Sequence, residues 1–349
     1  MTESGKRKGL FQQIKEKAFE ECRPIQATFE LTPRCGMNCR MCYVHLQPGE
    51  IPKVGRGREL TAKEWIRMGE QAQKAGVFSL CITGGDPLLH PEFETIWRAL
   101  SRMGFRITLQ TNAYSITEKI EELFYEYPPH EAKITLYGSN DEVYREVCQV
   151  EQGFTRVDEG IRKLRELKIP IQLVTTFVKQ NIEDKDHIFR YVVSNRFRWF
   201  YSTSCYPSLR GARTDAKACA LSVYDLGCSE EASKEWNEKP FIKMDKKPCE
   251  YCSIYRTGYN ITWDGYMRFC LFLNEPGIDA LEGEFEENWK ALQEYSEKIR
   301  WPEKCYTCEV KDKCRKCIAS LACNNGGIGK VREDFCEKIV SLLNIENEK

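Results

Sequence analysis

The chain has no excess of either charge and very little histidine. Its 349 residues include 52 Lys and Arg against 52 Asp and Glu, and only four His. A balanced charge provides no general attraction to nucleic acid or to an anionic membrane surface, so neither is expected as a partner. With so few imidazoles, proton transfer at neutral pH does not obviously fall to histidine.

Long apolar runs are missing as well. No segment approaches the ~20 apolar residues of a membrane-spanning helix, and the N-terminal stretch MTESGKRKGLFQQIKEKAFEE lacks the apolar centre of a secretion signal. We therefore expect a cytoplasmic protein with no membrane contact. Eighteen cysteines stand out against this background. Because the cytosol keeps thiols reduced, metal clusters explain them better than disulfides do.

Short β-rich segments alternate with longer amphipathic ones from about residue 26 to residue 204. QATFEL, FSLCIT and RITLQTN are typical of strands, and TAKEWIRMGEQAQKAG is typical of a helix; the pattern contains six strands in all. Such alternation predicts βαβ units with a parallel sheet, whose chemistry lies at the carboxyl ends of the strands. The predicted fold is α/β, a partial (β/α)6 TIM-like barrel followed by a small cysteine-rich domain.

The expected division of the chain has four parts. These are an N-terminal extension at 1–25, the barrel at 26–215, a polar bridging region at 216–245 and the cysteine-rich domain at 246–349. Within the last part, the segment GYNITWDGYMRF predicts a β-hairpin that turns at Asp264 and Gly265.

A cysteine triplet directly follows the first predicted strand. Cys35, Cys39 and Cys42 lie in the segment LTPRCGMNCRMCYVH. Three thiolates in one short loop suit three irons of a [4Fe-4S] cube and leave the fourth iron open to another ligand. A structural zinc site with His45 as fourth ligand is the alternative, although zinc sites favour paired CxxC units. The CxxxCxxC spacing followed by Tyr43 resembles the cluster loop of radical S-adenosylmethionine (SAM) enzymes.

A glycine-rich segment, TGGDPLLHPEF, follows the second predicted strand and resembles the part of that family that contacts the methionine amino group of SAM. Two successive glycines let a backbone approach its ligand closely. Asn112 stands where the family often has a TNG motif near the ribose, with Ala113 in place of the glycine. The residues that the resemblance assigns to SAM binding are Tyr43, Gly84, Gly85, Asp86, Pro87 and Asn112.

The resemblance also implies an activity. The cluster would reduce SAM to methionine and a 5′-deoxyadenosyl radical, which abstracts a hydrogen atom from the substrate. Clusters of this kind are sensitive to oxygen, so an anaerobic or strongly reducing setting is expected.

A second set of cysteines resembles the SPASM extension, which binds two auxiliary [4Fe-4S] clusters and would bring the total to three. The implied ligands are Cys249, Cys252, Cys270 and Cys317 for cluster I, and Cys305, Cys308, Cys314 and Cys336 for cluster II. In that family the last two cysteines of the run are usually separated by three residues. Here only two residues separate Cys314 from Cys317. Whether Cys249 and Cys252 both bind stays open, and with only one of them cluster I has an open iron. Two zinc ribbons on the same CxxC pairs are the alternative.

The remaining cysteines are Cys22, Cys81, Cys148, Cys205, Cys219, Cys228 and Cys323. Buried cysteine commonly acts as a small hydrophobe, so Cys81 is expected in the core of the second strand. Cys205 closes the sixth predicted strand at the mouth of the barrel and is the candidate catalytic residue, as a hydrogen-atom donor or a ligand. Tyr137, Arg210 and Arg213 are further candidates for contact with SAM or substrate, or equally for packing.

Radical SAM proteins with SPASM domains mostly act on peptides, and the segment ITLYGSNDEVYREVCQVEQGF also resembles peptide-modifying members. The resemblance therefore implies an oxidoreductase that matures a ribosomally made peptide (a RiPP) by a thioether or carbon–carbon cross-link or a related modification. The implied partners are the peptide and an electron donor such as flavodoxin or ferredoxin. Because only some 25 residues precede the first strand, either a separate protein binds the leader or the barrel and the SPASM extension read the substrate themselves.

Three other functions stay open. An anaerobic sulfatase-type maturase is disfavoured, because in that family an aspartate follows the auxiliary cysteine, whereas Leu271 follows Cys270 here. A small-molecule dehydrogenase or an enzyme acting on haem side chains is a second alternative. A non-catalytic iron–sulfur electron carrier would explain the cysteines but not the GGDP segment in a βα barrel.

Overall fold

The structure is a computed structural model that describes residues 9–221 and 246–312 and, beyond these, 314, 317–322, 328–331, 333, 336, 337 and 340. Most of the bridging region and parts of the cysteine-rich domain lie outside the described residues, Cys228 and Cys323 among them. The domain boundaries given above therefore stay predictions.

Six parallel strands form the barrel sheet, as the sequence predicted. They are β1 (Gln26–Glu30), β2 (Ser79–Thr83), β3 (Arg106–Thr111), β4 (Glu131–Thr135), β5 (Ile171–Thr176) and β6 (Arg198–Ser202). Each pairs in parallel with the next along the chain. Consecutive parallel strands joined by helices are the arrangement of a partial TIM barrel, so the predicted fold class is confirmed.

The helices follow the strands in the expected alternation. They are α1 (Leu10–Glu20), α2 (Ala62–Lys74), α3 (Phe93–Arg102), α4 (Glu118–Glu126), α5 (Asp141–Cys148), α6 (Gly153–Glu166), α7 (Lys185–Ser194), α8 (Ala216–Cys219), α9 (Phe285–Lys298), α10 (Glu303–Thr307) and α11 (Ile318–Ala322). Helix α5 is an addition to the predicted pattern, and Asn140 caps it by accepting a hydrogen bond from the Val143 amide at 3.0 Å. No helix of the described residues is long and apolar enough to cross a membrane.

The C-terminal extension continues the barrel sheet. The expected hairpin is present as antiparallel β7 (Gly258–Ile261) and β8 (Tyr266–Arg268), and Gly265 supplies its turn with a φ of 86°. Strand β9 (Ile278–Asp279) pairs with β8. Strand β7 pairs in parallel with β1, which produces one nine-stranded sheet in the order β6-β5-β4-β3-β2-β1-β7-β8-β9. The sequence did not predict this fusion.

The two faces of the barrel sheet differ in polarity. One face is buried against the helices, and Phe29 packs there on Trp65 of α2 with ring centroids 5.2 Å apart. The other face is half-buried or exposed and consists mainly of polar side chains: Gln26, Thr28, Cys81, Thr108, Gln110, Glu131, Lys133 and Gln172. Cys81, expected in the apolar core, instead lies on this polar face. The interior of the barrel is thus not filled by branched apolar side chains, as it is in a closed (β/α)8 barrel.

Close backbone contact between α6 and the loop after β3 predicts a sensitive position. A Cβ added at Gly160 would lie 2.1 Å from the Ala113 carbonyl oxygen. We expect Gly160→Ala to lower the free energy of unfolding by about 2–3 kcal/mol, because the backbone must move. Urea denaturation measures this loss. Gly49→Ala is the control, since a Cβ there would meet nothing within 4 Å. Equal stability of both variants would contradict the contact.

Candidate active site

The loops that follow β1 and β2 are joined by their backbones at the carboxyl edge of the sheet. The Gly85 amide donates to the Thr32 carbonyl at 2.8 Å, and the Asp86 amide donates to the Arg34 carbonyl at 2.7 Å. A Cβ at Gly85 would lie 2.5 Å from the Arg34 carbonyl oxygen. The missing side chain at Gly85 thus permits close packing against the segment that leads into the cysteine loop.

Hydrogen-bond donors point at two of the three sulfurs in the loop. The Met37 amide and the Asn112 side-chain amide donate to Cys35 Sγ at 3.4 and 3.3 Å. The His45 amide donates to Cys42 Sγ at 3.3 Å. Donors of this kind favour the thiolate form, which is the form that binds iron. Asn112 lies beside a candidate cluster ligand, in keeping with its expected place at the site.

Cys39 is held in a different way. Its thiol is hydrogen-bonded to that of Cys148, at the end of α5, and this contact and burial raise its pKa well above the ordinary value. The loop also caps this helix, because the Asn38 and Arg40 amides donate to the Cys148 and Val147 carbonyls at 2.9 and 3.0 Å. Helix α5 therefore positions the cysteine loop.

The chemistry of the loop fits a cluster better than a single ion. Burial raises the pKa of Cys42 to about 11 and that of Cys35 well above its usual range, so metal binding must displace their protons. Among the residues that the structure describes, no three His, Cys, Asp or Glu side chains converge closely enough to hold one metal ion.

Asp86 has an unused buried oxygen. Its Oδ1 accepts hydrogen bonds from Thr111 Oγ1 at 2.8 Å and from the Leu88 amide at 3.4 Å. Its Oδ2 is buried and, within the described part of the chain, has no partner. Burial raises the pKa of this carboxyl to about 6. A cationic group such as the amino group of SAM would compensate this carboxylate, so the residues present fit the cofactor.

The backbone that follows Asn112 has the conformation that a glycine would favour. Ala113 replaces the glycine of the TNG motif, yet its φ of 58° is in the left-handed region. Asn112 accepts a hydrogen bond from the Tyr114 amide at 2.9 Å, which closes the turn. Pro87 is buried and begins a short 3-10 turn, Pro87–Leu89.

A buried ion pair connects the cysteine loop to two distant segments. Arg210 Nη2 donates to Glu30 Oε2 at 2.8 Å, and Tyr43 donates to the same oxygen at 2.9 Å. Arg210 Nη1 donates to the Leu271 carbonyl at 2.9 Å, next to Cys270. Burial raises the pKa of Glu30 and raises that of Tyr43 well above its usual range. The sequence offered two arginines as candidates for contact with SAM or substrate. Arg210 is buried in this ion pair, whereas Arg213 is exposed.

Aromatic rings extend this connection. The Tyr43 ring meets Phe272 edge-on at 5.0 Å, and Phe272 stacks on Tyr206 at 3.8 Å with the rings 10° apart. Tyr206 follows Cys205, which is half-buried. Burial raises the pKa of Tyr137, and the nearby thiols Cys39, Cys148, Cys42 and Cys205 add to the shift. Cys205 and Tyr137 therefore lie at the same rim as the cysteine loop.

The C-terminal cysteines are gathered only in part. Cys249 is buried, and Cys252 and Cys317 lie close enough to it to raise the pKa of its thiol, to about 12 with burial as the main cause. Cys270 accepts a hydrogen bond from the Phe272 amide at 3.4 Å. Of the proposed cluster II ligands, Cys305 is buried and the others are half-buried: Cys308, Cys314 and Cys336.

Sequence reasoning missed three residues that matter at this site. Glu30, Thr111 and Cys148 contact proposed site residues, but the sequence analysis gave them no role at the site, although Thr111 precedes Asn112 in the TN segment. Glu30 ends a strand whose other residues are buried or half-buried, and this was the available signal. A glutamate is rarely buried without a partner, so its position there indicates a specific contact.

Comparison with known proteins decides the family of the barrel. Residues 29–192 match the radical SAM superfamily. This region is a radical SAM domain. The cysteine loop and the GGDP segment predicted a radical SAM domain, and the match confirms it for these residues. A separate SPASM domain stays a prediction.

Two curated relatives of this chain differ in activity. An "AdoMet-dependent heme synthase" of Methanosarcina barkeri is 26% identical over 330 residues, which cover 85% of this chain and 91% of the relative. A "PqqA peptide cyclase" of Ruegeria pomeroyi is 24% identical over 161 residues, or 46% of this chain and 42% of the relative.

Solved structures of similar fold span nearly the whole chain. Streptococcus suis SuiB bound to its precursor peptide SuiA aligns with a TM-score of 0.67 at 16% identity, covering 97% of this chain and 84% of that one. The AdoMet-bound anSMEcpe aligns with a TM-score of 0.63 at 14% identity, covering 93% and 100%. At these identities the likeness concerns the fold, including its C-terminal extension.

The buried Asp86 carboxylate predicts a stability that depends on pH. Its pKa is raised to about 6 from 3.8, so the stabilisation of the protonated form is complete below pH 4 and is lost as the pH rises through 6. Without SAM, we expect Asp86→Asn to be about 1–2 kcal/mol more stable than the wild type at pH 8 and equal to it near pH 4. Urea denaturation at both pH values checks this. A variant that is less stable at pH 8 would contradict the orphaned oxygen.

The Glu30–Arg210 pair predicts a strong double-mutant interaction. Arg210→Met leaves a buried carboxylate without its cation, and we expect a loss of about 3–5 kcal/mol in stability. Adding Glu30→Gln removes the unpaired charge and should restore a large part of that loss. Arg145→Met, which breaks an exposed ion pair with Glu151, is the control and should change little. Additive effects of the two substitutions would show that the pair is not coupled.

Proposed function

We propose that this protein uses its radical SAM domain to modify a ribosomally made peptide, by a thioether or carbon–carbon cross-link or a related change. The similarity to a PqqA peptide cyclase and to SuiB supports the peptide substrate. The observation that carries the redox part of this proposal is the fusion to β1 of the hairpin that precedes Cys270. Because of that fusion, Leu271, next to Cys270, is hydrogen-bonded to the same arginine that binds Glu30. A second redox site beside the SAM site suits a reaction that removes two electrons from its substrate.

The roles of the chain's own residues follow from the contacts. Cys35, Cys39 and Cys42 would hold the SAM cluster, Asp86 would bind the SAM amino group, and Asn112 would lie beside the cluster. When bound, the cluster and SAM supply a 5′-deoxyadenosyl radical by reductive cleavage. Cys205, at the same rim, is the proposed hydrogen-atom donor only for a related change without net oxidation, such as epimerisation, in which the thiyl radical left on Cys205 would be reduced by the electron donor. A cross-link loses two hydrogens and would need no such donor. The buried surroundings of the loop exclude water from the radical.

The C-terminal cysteines would hold two auxiliary [4Fe-4S] clusters, which accept electrons or bind substrate. Support for cluster I comes from the proximity of Cys249, Cys252 and Cys317. An electron donor of the flavodoxin or ferredoxin kind and a separate leader-binding protein complete the proposal. The names of the PqqA cyclase and of SuiB, with its precursor peptide, support a peptide substrate.

A tetrapyrrole substrate is the second candidate. The haem synthase relative matches 85% of this chain, whereas the peptide cyclase matches 46%, so the first likeness includes the C-terminal extension. The two candidates share the SAM and auxiliary sites and differ only in what enters the barrel.

Removal of the three loop cysteines tests the proposed SAM cluster. Cys35→Ala, Cys39→Ala and Cys42→Ala together should abolish formation of 5′-deoxyadenosine on reduction with SAM, because no thiolate is left to hold that cluster. About two thirds of the iron should stay bound, since the two auxiliary cubes are intact. Iron and sulfide analysis of anaerobically reconstituted protein, with chromatography of the nucleoside, measures both. Cleavage at the wild-type rate in the triple variant would refute the assignment.

The substrate class requires a separate assay. Candidate precursor peptides encoded beside the gene, and iron coproporphyrin, are each incubated with SAM and reductant, and the products are weighed by mass spectrometry. A loss of two hydrogens from a peptide supports the cross-linking proposal. Loss of carboxyl groups from the porphyrin, with no change to any peptide, would replace it by the second candidate.

A further inference from the structure

The polar face inside the barrel contains a half-buried lysine, Lys133. Side chains of the polar sheet face alternate with buried apolar ones along β4, where Glu131, Lys133 and Thr135 are half-buried and Ala132 and Ile134 are buried. Since successive side chains of a strand point to opposite faces, Lys133 lies on the same face as Glu131 and away from the helices.

Two acidic side chains on this face are paired, whereas Arg106, at the amino end of β3, is exposed. Glu131 is paired with Arg198 of β6, and Glu30 is paired with Arg210. Within the described ranges, no hydrogen bond or ion pair involves the Lys133 ammonium. A half-buried lysine without a counter-ion is unusual, because partial desolvation of a charge costs free energy unless an opposite charge compensates it.

Lys133 and Cys81 lie on the same face of the sheet. Cys81 on β2 is in register with Thr108 on β3. Thr108 is in register with Glu131, two residues before Lys133. Neighbouring strands are about 4.8 Å apart, so the backbones of β2 and β4 are separated by roughly 10 Å. In keeping with this placement, Lys133 is the main charge that lowers the pKa of the Cys81 thiol, against the larger raising effect of burial.

Along the strand direction, Lys133 lies about two residues below the cysteine loop. Lys133 is the register partner of Gln110 on β3. Asn112 lies two residues after Gln110, and its side-chain amide donates to Cys35 Sγ at 3.3 Å. Two residues of a strand span roughly 7 Å, which is about the length of a lysine side chain. A substrate group bound by Lys133 could thus belong to a molecule whose reacting carbon lies at the rim.

We propose that Lys133 binds a carboxylate of the substrate inside the barrel and so determines substrate specificity. Its register neighbours, Gln110 on β3 and Gln172 on β5, are amides that can donate to the same group. The carboxylate is an acidic side chain of a peptide or a propionate of a tetrapyrrole. The inference rests on the proposed function, of which it names the substrate chemistry.

Binding to anaerobically reconstituted holoenzyme with SAM and without reductant tests this directly. One pair of probes is a glutamate-containing decapeptide and the same peptide with glutamine. The other pair is coproporphyrin III and its tetramethyl ester. We expect wild-type protein to bind the acid of one pair at least 10-fold more tightly than its neutral counterpart, and added salt to weaken that preference. The pair that shows the preference identifies the source of the carboxylate.

Variants assign the preference to one residue. Lys133→Met should lose it, with about 10-fold weaker binding of the acid and unchanged binding of the neutral probe, whereas Lys133→Arg should retain it. Lys63→Met is the matched control, since Lys63 is exposed on α2. Thermal unfolding of each variant shows whether it is folded, because a general loss of structure would weaken both probes equally.

Two results would overturn the inference. One is that the wild type binds the acid and the neutral probe equally tightly, or binds neither of them. The other is an unchanged preference in Lys133→Met. Iron content and 5′-deoxyadenosine formation, measured on the same preparations, report separately on the proposed function. A protein that cleaves SAM but has no carboxylate preference refutes only the inference, and one that shows the preference without SAM cleavage refutes only the proposed function.

Discussion

The ion pair between Glu30 and Arg210 is the interaction on which the arrangement of the site depends. Both side chains are almost completely buried, and Glu30 also accepts the Tyr43 hydroxyl. The pair therefore joins the end of β1, the cysteine loop, the segment after β6 and, through the Leu271 carbonyl, the C-terminal extension. Desolvation of two charges is expensive, so a pair of this kind adds little net stability compared with apolar packing. Its value is positional, because removal of either partner leaves a buried charge that no other group can satisfy.

The sheet around this pair has two faces with different tasks. The apolar face packs against the helices and provides most of the burial that stabilises the fold. The polar face leaves the interior open to a substrate, in contrast to barrels whose interior is filled. All the strands of the barrel end at one edge, where the cysteine loop, Asp86 and Asn112 meet. The fusion of β7 to β1 brings the hairpin beside the site, and Leu271, which follows Cys270, accepts a hydrogen bond from Arg210 there. Cys249 and Cys252 precede β7 and lie on the side where β1 begins, since the Gln26 side chain donates to the Ser253 carbonyl.

Local patterns were sufficient to predict the six barrel strands and the hairpin, because alternation of residues and turn chemistry are encoded within a few positions. The cysteine loop and the GGDP segment were likewise readable from spacing. The pairing of β7 with β1, the contact of α5 with the cysteine loop, and the Glu30–Arg210 pair were not. Each joins segments that are distant in sequence, and a single sequence contains no signal for such a contact. The alternation of polar and apolar residues in β4 was enough to predict that one of its faces is polar. That Lys133 makes no ion pair with the described residues could be found only from the positions of its neighbours in the structure.

The central claim is the proposal that one cube at Cys35, Cys39 and Cys42 leaves an iron open for SAM and is accompanied by two auxiliary cubes. Mössbauer spectroscopy of the protein reconstituted with ⁵⁷Fe, recorded with and without SAM, tests it most directly. The account predicts about twelve irons per chain in three cubes, of which a single iron changes its spectrum when SAM binds. A spectrum that does not respond to SAM, or zinc in place of iron at the loop, would contradict it.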